Sequence, residues 1–134
     1  MSAGNPDDDL ARRLAGFGAA HPGSKLSGIA SRKPPSLVIR IEGILDSSNS
    51  SAFQNAVTDC LEESRRRGGL ILDLEGLSYA SSTGVGAMTA LLIETQRHKI
   101  PFRLCNIPHN VGAVLDILGF SSFLEIVDRY EVEE

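Results

Sequence analysis

A chain of 134 residues is long enough for one domain with its own core, and an apolar share of 42% beside a charged share of 22% is that of a soluble globular protein. A formal charge of −4 argues against nucleic acid as a partner, because phosphate contacts call for a basic surface. No apolar run approaches the ~18 residues of a membrane span, and Asp7, Asp8 and Asp9 stand where a secretion signal needs positive charge, so a cytoplasmic protein without membrane contact is expected.

In chain order, Asn5 as N-cap, Pro6 in the first turn and three aspartates at the positive end of the dipole predict a short amphipathic helix over residues 6–18. Leu10, Leu14 and Phe17 share its apolar face, but Gly16, Gly18 and the His21-Pro22-Gly23 break make it too brief to stand alone. A docked helix and a frayed tail are equal readings of this segment. Leu26–Ser31 reads as a first strand, turned by Arg32-Lys33-Pro34-Pro35 into the stronger strand Leu37–Ile44, an edge hairpin. After Leu45-Asp46 and a serine-rich cap, Phe53, Ala56, Val57, Cys60 and Leu61 recur at helical spacing. Arg65, Arg66 and Arg67 fill the last turn and Gly68-Gly69 stops what reads as one helix of roughly four turns.

Leu70–Leu74 is nearly continuous in apolar character, as a central strand covered on both faces would be. A second helix runs from Thr83 to His98 with Val85, Met88, Leu91, Leu92 and Thr95 inward, and Phe102–Ile107 follows as a strand. Pro108 opens a third helix carrying Val111, Val114, Leu115 and Leu118 and ending at Gly119, before a last strand over Phe123–Val127. The alternation predicts an α/β fold with parallel pairs: a central mixed sheet of four to five strands with three to four helices. Residues 1–33 read as an N-terminal extension holding the short helix and edge strand, 34–130 as the domain proper, and 131–134 as a frayed acidic tail.

The chemistry concentrates in Leu77-Ser78-Tyr79-Ala80-Ser81-Ser82-Thr83-Gly84-Val85-Gly86, where the chain leaves a buried strand and enters a helix. Free N–H groups and the dipole's positive end suit an anion or a phosphate there, and Gly84 and Gly86 would let another surface come close. Ser81, Ser82 or Thr83 acting simply as helix cap explains the same residues equally well. Gly84-Val85-Gly86 lacks the third glycine and the following Lys of a nucleotide loop, and Ala80 stands where a hydrolase elbow needs glycine.

The same stretch, with Leu70 through Val127 around it, resembles the STAS domain, the family of bacterial anti-sigma factor antagonists and related sulphate-transporter domains. Gly43-Ile44-Leu45-Asp46 is similar to that family's Gly-Glu-Leu-Asp signature, and the likeness spans roughly residues 36 to 128. The resemblance implies a STAS-like single domain that is not an enzyme. It places Ser82 at the serine phosphorylated in family members, with Ser81 and Thr83 as the alternative acceptors, and Gly84 at the motif glycine. Ser81 stands where the family usually has aspartate, which removes a charge beside the acceptor. Asp46, Ser81, Ser82, Thr83, Gly84, Val85 and Gly86 are then the expected partner-binding residues.

The mechanism implied is partner switching. The unphosphorylated domain binds an anti-sigma factor serine/threonine kinase and frees a sigma factor; phosphorylation ends the binding, and a PP2C-like phosphatase resets it. A monomer or weak homodimer is expected, in a stress-response pathway. Two rivals stand beside this reading: a scaffold subunit of a stress-sensing assembly, and a domain that binds a small anion or nucleotide at the Ser81–Gly86 turn.

Elsewhere the chemistry is sparse. Cys60 and Cys105 lie in apolar patterns without zinc spacing and read as reduced core thiols, so neither metal nor cofactor is expected. His21, His98 and His109 read as surface or capping residues, and Arg65-Arg66-Arg67 as a solvated, dipole-compensating turn. Asp46, Asp73 and Glu75 would form a cation-binding patch only if the fold gathered them, and strand-end solvation is the simpler reading.

Overall fold

A computed structural model describes residues 6–119, 122 and 124–133. Asn5, Phe123 and Glu134, named above, lie outside them. The described residues hold α1 (Pro6–Ala20), β1 (Ser24–Lys33), β2 (Pro35–Leu45), α2 (Ser50–Thr58), α3 (Leu61–Arg67), β3 (Leu70–Asp73), β4 (Leu77–Ala80), α4 (Ser82–Arg97), β5 (Phe102–Cys105), α5 (His109–Ile117), β6 (Glu125–Val127) and β7 (Glu131–Val132).

The sheet is mixed, as expected, but larger: seven strands in the order β6-β5-β3-β2-β1-β7, with β4 also beside β2. Strands β2, β3, β5 and β6 pair in parallel, while the β1–β2 hairpin and the β1–β7 pair are antiparallel. Two strands lie beyond the sequence reading. β4 is four residues long with only its end residues buried, too short to show a period. β7 carries Glu131 within the acidic ending, yet Glu131 and Val132 pair with β1, and Arg32 holds Glu131 at 2.6 Å.

The expected long helix after β2 is two helices. Their apolar stripe continues in phase through Val57, Cys60 and Leu61, with Ser64 buried in line with it, which hides the break. At the joint the Cys60 N–H donates to the Val57 carbonyl at 2.9 Å, and Cys60 has φ −97° and ψ 2°. The Ser64 hydroxyl donates back to the Cys60 carbonyl at 2.9 Å and the Cys60 thiol to Ala56 at 3.3 Å, the kind of side-chain bonding that bends helices.

Most of the core lies on one face of the sheet. Leu37, Ile39, Ile41 and Leu45 of β2, Leu70 and Leu72 of β3 and Leu104 of β5 meet Phe53, Val57, Val85, Met88, Leu91 and Val111 from the helices. Helix α1 belongs to this core: Leu14 is fully buried, and a Cβ at Gly28 of β1 would stand 3.0 Å from its methyl group. The opposite face carries a smaller cluster, Val38, Ile71 and Cys105, with Ile29, Val127 and Tyr130 against it. β3, buried at every position, lies between the two. From Val127 to Glu131 the chain crosses from one edge strand to the other. Four residue steps reach about 14 Å, whereas the two edges of a flat sheet would be about 24 Å apart, so the sheet is curled and this second face concave.

Candidate functional site

Strand β4 takes up the place beside β2 that β3 vacates. Arg40 is the last β2 residue paired with β3, and Gly43, Ile44 and Leu45 then pair with Leu77, Tyr79 and Ala80. Leu45 and Ala80 face the core, so their neighbours Ile44 and Tyr79 point outward on adjacent strands. They are 41% and 52% exposed and stand side by side as a cross-strand pair at the surface.

Directly beyond this pair the chain turns into α4. Ser81 is the N-cap, extended at φ −77° and ψ 171°, and its hydroxyl accepts the Gly84 N–H at 3.2 Å. Its own N–H donates to the Leu45 carbonyl at 2.9 Å, which ties the helix start to the end of β2. One serine thus caps and the next does not: Ser82, the first helical residue, is exposed, as is Thr83. A serine at position 81, where the resemblance implies an aspartate, keeps a capping oxygen and carries no charge.

The glycines divide in the same way. A Cβ at Gly84 would stand 2.5 Å from the Leu45 carbonyl oxygen, so this glycine permits an internal close approach. Gly84 and Val85, both expected as partner-binding residues, are buried. Gly86 is half-buried, with open space over its α-carbon.

Asp46 follows Leu45 as Ser81 follows Ala80, which brings the two signatures together at one end of the sheet. One Asp46 carboxylate oxygen accepts the Ser48 hydroxyl at 2.6 Å and the Ser48 N–H at 2.9 Å. These bonds hold the carboxyl below its ordinary pKa. The result is a fixed negative charge at the surface beside Ile44.

Asp73 lies elsewhere. It pairs with Arg40, six residues before Asp46 on β2, a rise of about 20 Å. Its carboxylate is buried and receives the Tyr130 hydroxyl at 2.6 Å, the Asn106 amide at 2.9 Å and the Glu75 N–H at 3.1 Å, with the Arg40 guanidinium at 3.5 Å. Burial pushes its pKa up, but the bonds from Asn106, Tyr130 and Glu75 and the charge of Arg40 together bring it below the ordinary value. Tyr130 is pushed up to about 12 by burial and by the Asp73 bond. Asp46, Asp73 and Glu75 therefore form no joint patch, and among the described residues no cluster of His, Cys, Asp and Glu is placed to hold a metal ion.

The remaining candidates fall outside the site. His21 stacks on Phe17 at 5.0 Å, exposed His98 meets Glu94 at 3.0 Å, and His109 is exposed at the start of α5. Arg65 pairs with Glu62, and Arg66 and Arg67 with Glu63. Both cysteines are buried and free, and burial raises both thiol pKa values, Cys60 to about 12. Among the described residues no helix is long and apolar enough to cross a membrane.

The sequence reading missed Ile44 and Tyr79 as a surface, and Ser24 and Asn49 behind it. No local signal in the sequence marks either pair.

Comparison with known proteins places this geometry in a family. Residues 29–132 match the STAS domain. BtrV of Bordetella bronchiseptica, named as an anti-sigma factor antagonist, is 24% identical over 95 residues, covering 71% of this chain and 80% of BtrV. A serine-to-glutamate variant of RsbS from Moorella thermoacetica superposes with a TM-score of 0.63 at 17% identity, covering 78% of this chain and 86% of RsbS. Phosphorylated SpoIIAA of Bacillus superposes with a TM-score of 0.58 at 19% identity, covering 79% of this chain and 92% of SpoIIAA, and unphosphorylated SpoIIAA gives the same score. With the match extending over most of its length, the chain belongs to the STAS domain family.

Proposed function

We propose that this STAS domain is an anti-sigma factor antagonist. It binds an anti-sigma factor serine/threonine kinase through the face formed by Ile44, Tyr79, Asp46 and Ser82, and it is released when that kinase phosphorylates Ser82. The observation that carries this reading is the division between neighbouring serines: Ser81 is committed to the cap, while Ser82 stands exposed at the helix start. The name of BtrV, the existence of SpoIIAA in phosphorylated and unphosphorylated forms, and the glutamate variant of RsbS support it.

In the transfer the Ser82 oxygen bonds to the γ-phosphorus of ATP, ADP leaves, and the hydroxyl proton is lost. The phosphate brings a charge of about −1.5 to −2, which the N-terminus of its own helix tolerates. A partner seated on Ile44 and Tyr79 meets the same charge as repulsion and as a desolvation cost, so binding fails without a change of fold. Asp46 offers a fixed carboxylate to a cationic group on the partner. The protein works in the cytoplasm as a monomer or weak homodimer, is not itself an enzyme, and is reset by a PP2C-like phosphatase.

The test pairs the protein with each purified anti-sigma factor kinase of its source organism, with ATP present, followed by intact-mass and fragment-ion analysis. One phosphate on Ser82 is the expected result, and phosphate on Ser81 or Thr83 would move the acceptor. Calorimetry should find that Ser82→Ala binds the kinase like the wild type while Ser82→Asp binds about fivefold or more weakly, a single carboxylate being an imperfect phosphate. Absence of phosphate with every kinase, or equal affinity of the two variants, would sink the reading.

A further inference from the structure

The family match begins at residue 29, yet the face around Ser82 rests on residues that precede it. After α1 the chain makes a tight turn, with the Ser24 N–H donating to the His21 carbonyl at 2.9 Å. The turn lies against the backbone of Gly43, which has φ +96°. A Cβ there would collide with the Gly23 carbonyl oxygen and stand 2.9 Å from the Ser24 α-carbon. Here the first signature residue is glycine because of the segment that precedes the domain.

The next residue is held more closely still. The β1–β2 ladder ends at the pair Ser24–Gly43, so on that edge Ile44 has no strand to bond. The Ser24 hydroxyl takes both of its backbone groups, donating to the Ile44 carbonyl at 2.5 Å and accepting the Ile44 N–H at 3.2 Å. Asn49 completes the bracket: its amide nitrogen donates to Ser24 Oγ at 3.1 Å and to the Ile44 carbonyl at 2.9 Å, and its oxygen accepts the Asp46 N–H at 2.9 Å. Ser24 and Asn49 are 8% and 4% exposed, so neither is placed to contact a partner. Upstream, the turn is held by α1, which is anchored by Leu10, Leu14 and Phe17 and bonded to the turn where the His21 N–H donates to the Phe17 carbonyl at 2.9 Å; downstream it runs into β1, where Leu26 is buried.

We propose that Ser24 and Asn49 are positioning residues of the partner face, and that α1, by holding the turn over residues 21–24, sets the affinity of that face for the kinase. This inference rests on the function proposed above and adds a control separate from Ser82. Undocking α1 releases Ser24, frees the Ile44–Asp46 backbone, and weakens binding while Ser82 is unmodified. Conversely, a ligand that clamps α1 strengthens it.

The experiment follows two readouts on the full chain: hydrogen exchange at the Ile44 amide, referenced to Leu72 in β3, and calorimetric affinity for the kinase that modifies Ser82. In Ser24→Ala the Ile44 amide should exchange about tenfold faster or more relative to Leu72, since its acceptor is gone. Kinase affinity should fall by about fivefold, as expected when a contact segment loses its preorganisation. Ser24→Thr, which keeps the hydroxyl, should restore both. Leu14→Ala, far from the face, should shift both in the same direction as Ser24→Ala. An Ile44 amide as protected in Ser24→Ala as in the wild type, or fast exchange with unchanged affinity, overturns the inference and leaves the proposed function standing. If no kinase binds the wild type, the function fails and takes the inference with it.

Discussion

Asp46 and Asp73 stand at the carboxyl ends of paired strands, one just after β2 and one closing β3, and their surroundings differ in almost every respect. Asp73 is buried, bonded by Tyr130, Asn106 and the Glu75 backbone, and pinned under the only segment that crosses the concave face among the described residues. The Asp46 carboxylate stands at the surface and is bonded within its own loop, by the Ser48 hydroxyl and N–H. A buried carboxylate with several donors is often where catalysis is sought. Here Tyr130, Asn106 and the Glu75 N–H already occupy its oxygens, although a cleft of about 270 Å³ lies beside it, and the carboxylate acts as a clasp for the chain's C-terminal strand. The plainer aspartate, with an apolar pair beside it, has the character of a recognition residue. What separates the two is whether the group's capacity is already filled.

That contrast can be broken by substitution. The largest effect should come from Asp73→Ala, which strands the Tyr130 hydroxyl, the Asn106 amide and the Arg40 charge; a loss of about 3 kcal/mol in urea denaturation is expected. Its pH dependence has a definite sign. The folded-state pKa of Asp73 lies below the unfolded one, so its contribution is whole above the ordinary carboxylate range and fades as pH falls through the folded value. Wild type and Asp73→Ala should therefore converge in acid. Parallel stability curves would show that the clasp does not depend on the charge.

Tyr130→Phe removes the bond to Asp73 and keeps the ring, and should cost about 1 kcal/mol in the same assay. Ser81→Ala should cost a similar amount, about 1 kcal/mol as helix caps do, whereas Ser82→Ala should stay within about 0.5 kcal/mol of wild type. Equal costs at the two serines would mean that the cap is shared and that Ser82 is not free for modification. Smallest of all on stability is Asp46→Asn, which should leave the denaturation midpoint in place while weakening the kinase complex severalfold. A shifted midpoint there would make Asp46 a second structural aspartate.

Much of this was legible in the chain. The apolar run Leu70–Leu74 announced a doubly covered strand, the stripe from Val85 to Thr95 announced α4, and the hydroxyl-rich passage after Ala80 announced where that helix starts. Three kinds of feature were not. The α2–α3 joint keeps its apolar stripe in phase and so leaves no trace in periodicity. Strands β4 and β7 are defined by the neighbours they pair with, and neither is long enough to carry an alternation. The direction of a glycine's opening is also not local information. Gly84 is there for the Leu45 carbonyl and Gly43 for the Gly23 turn, both brought close only by the folded sheet. Sequence spacing marked the residues at the α4 entrance, but not which of them lie inside.

The serine at position 81 has one more consequence. A carboxylate cap would already occupy the electropositive mouth of α4, and a phosphoryl group on the next residue would arrive as a second anion in a site with room for one. With an uncharged cap, a phosphoryl group on Ser82 would be the first anion to reach that mouth. The modified protein should then melt no lower than the unmodified one. The phosphorylated form would be a resting state as durable as its counterpart, and the lifetime of the signal would be set by the phosphatase and not by wear on the fold.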